Sequence, residues 1–435
     1  MEQIAFDPAN AAEALTRLPR SAAVFALYGV DAHAEPYIGR TPNLRGRLER
    51  LLQPSAKHPR RLQLAGRVRR VAWRLTGSDF ESLLLQFELL QEVYGTKCLD
   101  RMHLRHPAFV RFLGGNPYPR ITVTHRPSQR EAEWAYGPFP SRAAAERYAE
   151  EMLKLFLLRR CTDDLNPDPS FPGCVYSEMK MCLAPCFKGC TDERYSEESA
   201  AVERFLATRG ESRLVVLRGE RDQASANLEF ESAAALHAQV QKVEGVRALA
   251  AELVRPLSEL RAVILQASAN PDEVAVFLFE NQRLRGPAMF STLGMRIPNE
   301  QSGSTSLFAQ PLAIEAVVED EGTKGLGTEG LGREDHGMQN REQLTQARPV
   351  RGLLEARMEA ALAALAEVRG AHSATVRQGH LALLKRWYYR PEARRAGEIF
   401  FPDAEGRWPV KAILRGAGRV AAKMVAGGKV EQPVA

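Results

Sequence analysis

The sequence predicts a multidomain α+β protein, and three observations support this fold class. The chain has 435 residues, of which 45% are hydrophobic, and this is enough for two to four domains with cores of their own. Strand-like and helix-like patterns follow each other within the first hundred residues, as in a small α/β domain. Five of the six cysteines lie between Cys161 and Cys190, which indicates a cysteine-rich module ahead of a helical segment and a mixed α/β C-terminal region.

Two features of the composition restrict the class of protein. The apolar runs are short and interrupted by charges, so the sequence predicts no transmembrane helix and no membrane partner. The N-terminal residues MEQIAFDPANAAEAL have no basic start and no apolar core, so we expect no signal peptide and a cytoplasmic location. In the cytoplasm, clustered cysteines more often bind a metal or take part in redox chemistry than form disulfides.

The N-terminal unit is predicted to contain three strands. The apolar run AAVFALY (22–28) and the segment EPYI (35–38) indicate two strands joined by a polar turn. The partly alternating segment VRRVAWRL (68–75) indicates the third strand.

Two helices complete the predicted β-β-α-β-α order of this unit. Thr41 is a candidate cap for the first helix, with Pro42 at its first position. Ser78 and Glu81 form a capping box for the second helix, which the pattern carries to about Val93.

Further strands and helices are predicted downstream. Residues 398–414 (EIFFPDAEGRWPVKAIL) indicate a hairpin with an edge proline. Residues 413–424 (ILRGAGRVAAKM) have the glycine spacing of a helix-hairpin-helix DNA-binding turn. The other predicted elements are a strand at 120–124, a helix from Ser141 to about Leu158, a helical hairpin at 196–249, paired strands within 261–292, and helices at 351–369 and 372–390. The predicted segments are 20–100, 101–195, 196–250, 255–315, a flexible glycine-containing linker at 316–349, and 350–425.

Basic residues are concentrated in two segments of the chain. The net charge is +6 and the pI is near 9.0, which is compatible with nucleic-acid binding without being specific for it. Residues 57–70 are densely basic, and residues 385–395 interleave aromatics with arginines. The second pattern suits either stacking on unpaired bases or a helix end whose aromatics lie in the core. The predicted DNA-binding residues are Arg45, Arg60, Arg61, Arg69, Arg70, Lys385 and Arg386.

Five blocks between about residues 20 and 245 resemble one family. AAVFALY…EPYIGRTPNLRGRL (22–48) resembles the two-strand signature of the GIY-YIG nucleases. Four more blocks resemble, in the same order, the UvrC family of excinucleases. They are ESLLLQFELL (81–90), NPYPRITVT…YGPFPS (116–141), LKLFLLRRC…KMCLAPC (153–186) and ASANLEFESAAALHAQVQKV (224–243). The resemblance implies a GIY-YIG-type nuclease domain, a UvrC-type module and a UVR-type helical hairpin. The carboxylates of the family's RNase H-like nuclease domain cannot be placed, so the architecture looks like that of the truncated Cho-type relatives.

The resemblance also implies the residues of a nuclease site. Tyr37 corresponds to the tyrosine that lies near the attacking water, and Arg40 and Arg47 correspond to residues that neutralise phosphate charge. Other positions depart from the family pattern. Phe25 replaces a tyrosine, Ala23 replaces a glycine, Gln86 replaces the metal-binding glutamate, and Cys98 replaces an asparagine. A neutral amide is a poor ligand for Mg²⁺ or Mn²⁺, which favour carboxylate oxygen.

No neighbouring acidic side chain is a convincing replacement for this glutamate. On a helix, Glu81 and Glu88 point away from the direction of Gln86, and Asp79 lies about 10 Å away along the axis. We therefore expect a metal-dependent nuclease that is impaired or lost. The alternative is an active Cho-like endonuclease that makes a single incision with Mg²⁺ or Mn²⁺.

The cysteines have the spacing Cys161-x12-Cys174-x7-Cys182-x3-Cys186, and Cys190 follows after a further three-residue gap. Zinc ribbons and fingers favour paired CxxC-like spacings, which the wide first gaps fit poorly. Zinc and unliganded thiols remain alternatives. The resemblance implies a [4Fe–4S] cluster on the first four cysteines, with Cys190 as a spare.

The segment NLEFESAAALHAQV (227–240) has the small and apolar residues of a close antiparallel helix pair. In UvrC proteins this hairpin pairs with a similar hairpin on UvrB, so the resemblance implies that Phe230 and Leu236 contact a UvrB-like partner. The alternative is an ordinary internal hairpin. The expected function is nucleotide excision repair on damaged double-stranded DNA, with the nuclease domain either active or retained as a scaffold.

Overall fold

The computed structural model shows a mixed α/β protein that contains three four-stranded sheets within the described residues. This agrees with the predicted α+β class. In that part of the chain no helix has both the length and the apolar character needed to cross a bilayer. The described residues are 1–31, 34–53, 64, 66–128, 130–162, 165–293, 295, 339–367 and 373–428.

The N-terminal module contains the predicted β-β-α-β-α order and one strand that was not predicted. Its elements are β1 (Glu2–Ala5), α1 (Ala11–Thr16), β2 (Ala23–Tyr28), β3 (Tyr37–Thr41), α2 (Leu44–Leu52), β4 (Arg70–Leu75), α3 (Asp79–Tyr94) and α4 (Cys98–Arg101). The strand order is β1-β4-β2-β3, and all neighbours are antiparallel. The unpredicted strand β1 therefore lies at one edge of the sheet, and β3 lies at the other.

Helix α2 begins two residues later than predicted. Strand β3 stays paired with β2 as far as Thr41, which keeps the backbone extended beyond the predicted strand end. The side chain of Asn43 accepts a hydrogen bond from the amide of Gly46 (2.9 Å) and is the N-cap. The hydroxyl of Thr41 instead donates to the carbonyl of Asn43 (3.0 Å), so the prediction of Thr41 as the cap was wrong.

Helix α3 begins at the predicted cap. The hydroxyl of Ser78 accepts a hydrogen bond from the amide of Glu81 (3.1 Å). The carboxylate of Glu81 accepts from the amide of Gly77 (2.8 Å), one residue before the position of a standard capping box. The start of α3 is therefore held by its own backbone and side chains.

The middle module follows as a second sheet with helices packed against it. Its elements are β5 (Ala108–Phe112), β6 (Ile121–Thr124), β7 (Ala135–Phe139), α5 (Arg142–Leu153), α6 (Val175–Glu178), α7 (Asp192–Ala207), α8 (Glu211–Ala226), α9 (Phe230–Ala248) and β8 (Arg255–Pro256). The strand order is β6-β5-β7-β8. Helix α5 is capped at Ser141 as predicted, but it ends at Leu153 rather than near Leu158.

The segment 196–249, predicted as a helical hairpin, contains most of α7 as well as α8 and α9. The hairpin itself consists of α8 and α9, which pack along each other. The buried residues of α9 are Val240, Val243 and Val246, all in its C-terminal half. The tip of the hairpin is exposed, and Phe230 retains 65% of its accessible surface. The base of the hairpin is therefore part of the core of the middle module, while its tip projects from that core.

The C-terminal module contains a third sheet with helices on both faces. Its elements are β9 (Ala262–Ala267), β10 (Glu273–Glu280), β11 (Arg283–Ser291), α10 (Gln339–Glu367), α11 (Ala374–Tyr388), β12 (Glu398–Phe400) and α12 (Val410–Gly428). The strand order is β11-β10-β9-β12. Alternate residues of the strands face two different cores, one shared with α10 and α12 and one shared with α3 and α11.

Three predictions for the C-terminal region were wrong. Residues 398–414 do not form a hairpin, because β12 pairs with β9 and residues from Val410 onward are helical. The segments 255–315 and 350–425 share this sheet and are not separate units. Helix α10 begins at Gln339, so the C-terminal end of the predicted linker 316–349 is helical; residues 316–338 lie outside the described residues.

The predicted helix-hairpin-helix turn lies within the continuous helix α12. Gly416 serves packing, since a Cβ at this position would come within 2.5 Å of the ring of Phe400. The glycine rhythm of residues 413–424 therefore results from close approach of a helix to β12, and the sequence pattern alone does not reveal this cause.

The N-terminal and C-terminal modules meet where α3 packs against α11. Phe87 of α3 is fully buried, and a Cβ at Gly379 of α11 would lie 2.2 Å from its ring. Phe80 of α3 contacts Phe277 of β10 edge to face, with 5.2 Å between ring centroids. Helix α3 is thus buried on two sides, and this packing brings the C-terminal end of α11 towards the N-terminal module.

Candidate functional site

The residues implied as a nuclease site lie on two faces of β3. Tyr37 pairs with Leu27, and Gly39 pairs with Phe25. The ring of Tyr37 lies 6.1 Å from that of Phe25, on the side of the sheet that packs against α2. Arg40 is three residues further along the strand, so its side chain lies on the opposite face of the sheet. Its guanidinium forms an ion pair with Asp79 of α3. The structure therefore separates Tyr37 and Arg40 across the edge strand.

Phe25 and Arg47 occupy different environments on the α2 side. Phe25 is fully buried, and a Cβ at Gly39 would lie 2.8 Å from its ring. The glycine therefore makes room for the phenyl group of Phe25. Arg47 on α2 is partly exposed, and its guanidinium has no ion pair within the described residues, so it remains available to an anion.

Gln86 lies on α3 and is half-buried. Two acidic residues lie near it on the same helix. The carboxylate of Glu81 accepts a hydrogen bond from the amide of Gly77, and Glu88 is exposed to solvent. Burial raises the pKa of Glu81, which weakens any tendency of this carboxyl to hold a cation. Among the described residues, no group of three or more His, Cys, Asp and Glu side chains has the geometry of a metal site.

Asp79 is the acidic side chain at the centre of the α3-facing site. Its Oδ1 pairs with Arg40 and its Oδ2 pairs with Arg390, at 2.5 Å from the Nη2 of Arg390. Burial alone would raise the pKa of Asp79, but the hydrogen bond from Arg390 and the charge of Arg40 outweigh it and keep the pKa below its ordinary value. An open groove next to this cluster is lined by Arg40, Thr41, Ser78 and Asp79.

The predicted DNA-binding arginines of the N-terminal module have protein contacts of their own. Arg45 donates to two carbonyls at the end of α1, at 2.5 and 2.7 Å. Arg69 donates to a neighbouring carbonyl (2.8 Å), and Arg70 lies over an aromatic ring at 3.8 Å from its centroid. Arg60 and Arg61 lie outside the described residues.

A group of basic side chains lies where α11 meets the middle module, and we call it the basic junction: Arg105, His106, Arg126 and Lys385. Burial and the nearby charge of Arg105 lower the pKa of Lys385. Burial and the charge of Arg126 are the leading causes that lower the pKa of His106. Arg105, Arg126 and Lys385 have no salt bridge within the described ranges. Sequence analysis found Lys385 but missed the other three, which are far from it in the chain.

The aromatic residues next to Lys385 belong to the protein interior. Trp387 is 2% exposed and donates from Nε1 to the carbonyl of Ala396 (2.9 Å). The hydroxyl of Tyr389 donates to the carbonyl of Pro138 (2.8 Å). Of the two interpretations of residues 385–395, the helix end with buried aromatics is therefore correct for these two side chains, while Arg386 is exposed.

The four cysteines implied as cluster ligands line one small pocket. This pocket is bounded by Cys161, Cys174, Cys182 and Cys186, with Arg159 beside them. Burial raises the pKa of the Cys182 thiol, and the other three sulfurs act in the same direction. Four thiols around one pocket are a donor set that suits iron or zinc. As placed in the described residues, these thiols do not have the geometry of a metal site.

Cys190 differs from these four cysteines. It does not line the pocket and instead packs against the core of the middle module. Burial raises the pKa of its thiol.

The hairpin residues implied as partner contacts also differ in exposure. Phe230, at the start of α9, is 65% exposed, and Leu228 next to it is 72% exposed. Leu236 is partly buried and packs against the core of the middle module. An apolar contact surface therefore exists at the hairpin tip, and Leu236 contributes to it less than Phe230 does.

Comparisons with known proteins show which proteins this chain resembles. Residues 109–205 match the model of the UvrC/Cho excinuclease middle domain. The UvrABC system protein C of Alcanivorax borkumensis is 30% identical over 212 residues, which are 48% of this chain and 34% of that protein. The corresponding protein of Ruminiclostridium cellulolyticum is 26% identical over 280 residues, which are 64% of this chain and 45% of that protein.

A third relative, from Shewanella denitrificans, is 30% identical over 240 residues, which are 54% of this chain and 38% of that protein. The match to each of these three relatives thus covers less than half of the relative's length. No solved structure matches the chain significantly. The chain is thus similar to UvrC/Cho proteins over about half of its length, and residues 109–205 match the middle domain of these excinucleases.

Proposed function

We propose that this chain acts in nucleotide excision repair as a UvrC-like protein that binds damaged double-stranded DNA and a UvrB-type partner, and that its metal-dependent incision is impaired. The observation that carries the proposal is the state of the acidic side chains on α3. Gln86, a neutral amide, occupies the position of the family's metal-binding glutamate. The nearest acidic residue on the same face of the helix is Asp79, whose carboxylate is paired with two arginines.

The separation of Tyr37 and Arg40 supports the same proposal. A GIY-YIG-type reaction needs an activated water, charge stabilisation at the phosphate and a bound metal ion at one place. Here Tyr37 lies on the α2 face of β3 and Arg40 on the α3 face. The site keeps groups that bind phosphate and lacks a carboxylate that would recruit the ion.

The basic junction supports DNA binding. Arg105, Arg126 and Lys385 bring positive charge together without a salt bridge inside the described part of the chain, and their mutual repulsion favours an anionic ligand. Lys385 of the predicted set lies at this junction. A DNA backbone is the polyanion that the family implies.

The hairpin tip supports partner binding. Leu228 and Phe230 expose large apolar side chains at the turn between α8 and α9. Apolar side chains exposed together on a protein surface often mark an interaction site. We assign this surface to the UvrB-type partner that the family implies.

The cysteine pocket supports a [4Fe–4S] cluster held by Cys161, Cys174, Cys182 and Cys186. Such a cluster would join the segment around Cys161 to the loop that carries Cys182 and Cys186. The neighbouring Arg159 donates to the sulfur of Cys161 (3.5 Å), which stabilises negative charge on a thiolate.

A strand-cleavage assay tests the central part of the proposal. A damaged duplex carrying a UvrB-type protein is incubated with the chain and Mg²⁺ or Mn²⁺, and the natural chain is compared with Gln86→Glu, Tyr37→Phe and Gln91→Glu. Gln91→Glu adds the same charge to α3 away from the site. We expect binding without cleavage for the natural chain and Gln91→Glu, and metal-dependent nicking only for Gln86→Glu. Robust cutting by the natural chain that Tyr37→Phe abolishes would refute impairment and favour the active single-incision endonuclease.

A further inference from the structure

Two arginines from distant parts of the chain converge on one carboxylate. Arg40 comes from edge strand β3, and Arg390 follows the end of α11. Each arginine pairs with a different oxygen of Asp79. Arg390 lies 311 residues from Asp79 in the sequence, so only the packing of α11 against α3 brings them together.

Both arginines are held in place independently of Asp79. The backbone of Arg40 is paired with Val24 in the sheet. The amide of Arg390 donates to the carbonyl of Trp387 (3.2 Å), and the neighbouring Tyr389 is fixed by its hydroxyl bond to the middle module. The fold therefore positions the backbone of each arginine without Asp79, while both guanidinium groups pair with its carboxylate.

The cluster remains open to solvent. The exposed fractions of the side chains are 31% for Arg40, 41% for Asp79 and 27% for Arg390. The adjoining groove is lined by Arg40 and Asp79 together with Ser78 and Ser82. A ligand can therefore reach the guanidinium of Arg40 from the groove, and the guanidinium of Arg390 is partly exposed beside Asp79. Two cations and one carboxylate leave a net positive charge there.

We propose that Arg40 and Arg390 form one phosphate-binding site for a DNA backbone, and that Asp79 occupies this site as an internal counter-ion that the phosphate displaces. The inference deepens the proposed DNA-binding function and rests on it. Carboxylate and phosphate oxygens are both preferred partners of the guanidinium group, so the same two arginines that hold Asp79 can hold a phosphate. Arg390 is thereby a DNA-positioning residue supplied by the C-terminal module.

The competing explanation is an ordinary salt bridge that only joins two modules. The two explanations predict opposite effects of removing the charge of Asp79. If Asp79 only holds the modules together, Asp79→Asn loosens the junction and DNA binding stays equal or weakens. If Asp79 competes with phosphate, the same variant releases two positioned arginines and DNA binding becomes tighter.

The test measures the affinity of the full chain for a fluorescent DNA duplex at several salt concentrations. Asp79→Asn is compared with Glu398→Gln, which likewise removes one negative charge and releases an arginine, since Glu398 pairs with Arg419 at 2.5 and 2.8 Å. This control subtracts the general effect of net charge. We expect Asp79→Asn to bind roughly 2- to 10-fold more tightly than Glu398→Gln, with a salt slope steeper by about one.

Arg390→Ala tests the second arginine. In the Asp79→Asn background it is expected to remove the gain in affinity and to lower the salt slope by about one, while Arg390→Lys keeps part of both. Thermal unfolding of each variant checks that the modules remain docked. A gain that survives in Asp79→Asn/Arg390→Ala would exclude Arg390 from the site.

Failure of the inference and failure of the proposed function give different results. If the natural chain binds DNA but Asp79→Asn binds no better than Glu398→Gln, the cluster is only a structural salt bridge. If neither the natural chain nor any variant binds DNA, the DNA-binding part of the proposed function is wrong, and the inference falls with it.

Discussion

Replacement of Gly379 by alanine tests the docking of α11 against α3, on which the position of Arg390 depends. On an exposed helix this change is favourable by up to about 1 kcal/mol, because alanine has the higher helix propensity. Here the new Cβ would come within 2.2 and 2.3 Å of two ring carbons of Phe87, which is fully buried. Overpacking of this kind costs about 1–3 kcal/mol, so we expect Gly379→Ala to destabilise the protein.

The measurement is urea unfolding of the full chain, with Gly219→Ala as the matched control. Gly219 lies in helix α8, and nothing lies within 4 Å of its Cβ position, so this variant should be as stable as the natural chain or slightly more stable. Phe87→Leu should recover part of the loss when combined with Gly379→Ala, because the smaller side chain relieves the clash. The packing of α3 on α11 would be refuted if Gly379→Ala raised stability as much as Gly219→Ala does.

Three other predictions concern the cysteines, the hairpin and Asp79. An anaerobic preparation of the natural chain should be brown and contain iron. Cys182→Ser should lose the colour and the iron, and Cys190→Ser should keep both. A colourless protein with stoichiometric zinc would contradict the cluster. Phe230→Ser should abolish co-elution with a UvrB-type protein while leaving the unfolding midpoint unchanged, because this side chain is 65% exposed. The control is Val215→Ser, at an exposed position of α8 away from the tip. Equal loss of co-elution in both variants would refute a specific role of the tip. The folded-state pKa of Asp79 lies below its ordinary value of 3.8, so the contribution of this carboxylate to stability is complete above that pH and is lost as the pH falls through the folded pKa. Urea unfolding between pH 3 and pH 6 should show that the natural chain is more stable than Asp79→Asn by at most about 1 kcal/mol. A stability difference that grows as the pH falls would contradict the assignment.

The local features of the fold could be predicted from the sequence. The apolar run at 22–28 and the partial alternation in 68–75 identified β2 and β4, and Ser78 and Ser141 identified two helix starts, because strand patterns and caps depend on neighbouring residues. Thr41 was misassigned because strand pairing, which is not local, kept the backbone extended through it.

The long-range features could not be predicted in this way. The pairing of β12 with β9 joins segments that the sequence presents as separate, and Gly416 has the spacing of a DNA-binding turn although it only allows a helix to approach Phe400. The resemblance brought Tyr37, Arg40 and the four cysteines to attention, and the structure places those cysteines around one pocket. Arg390 lies in the basic segment 385–395 that the sequence analysis identified, but its pairing with Asp79 could not be predicted, since it exists only after α11 has packed against α3.

The most direct test of the impaired metal site is a crystal of the natural chain soaked in manganese, compared with one of Gln86→Glu. Anomalous scattering locates the ion without reference to activity. The account predicts no manganese beside Gln86 in the natural chain and an ion beside the new carboxylate in Gln86→Glu. A manganese ion bound beside the amide of Gln86 in the natural chain would contradict it.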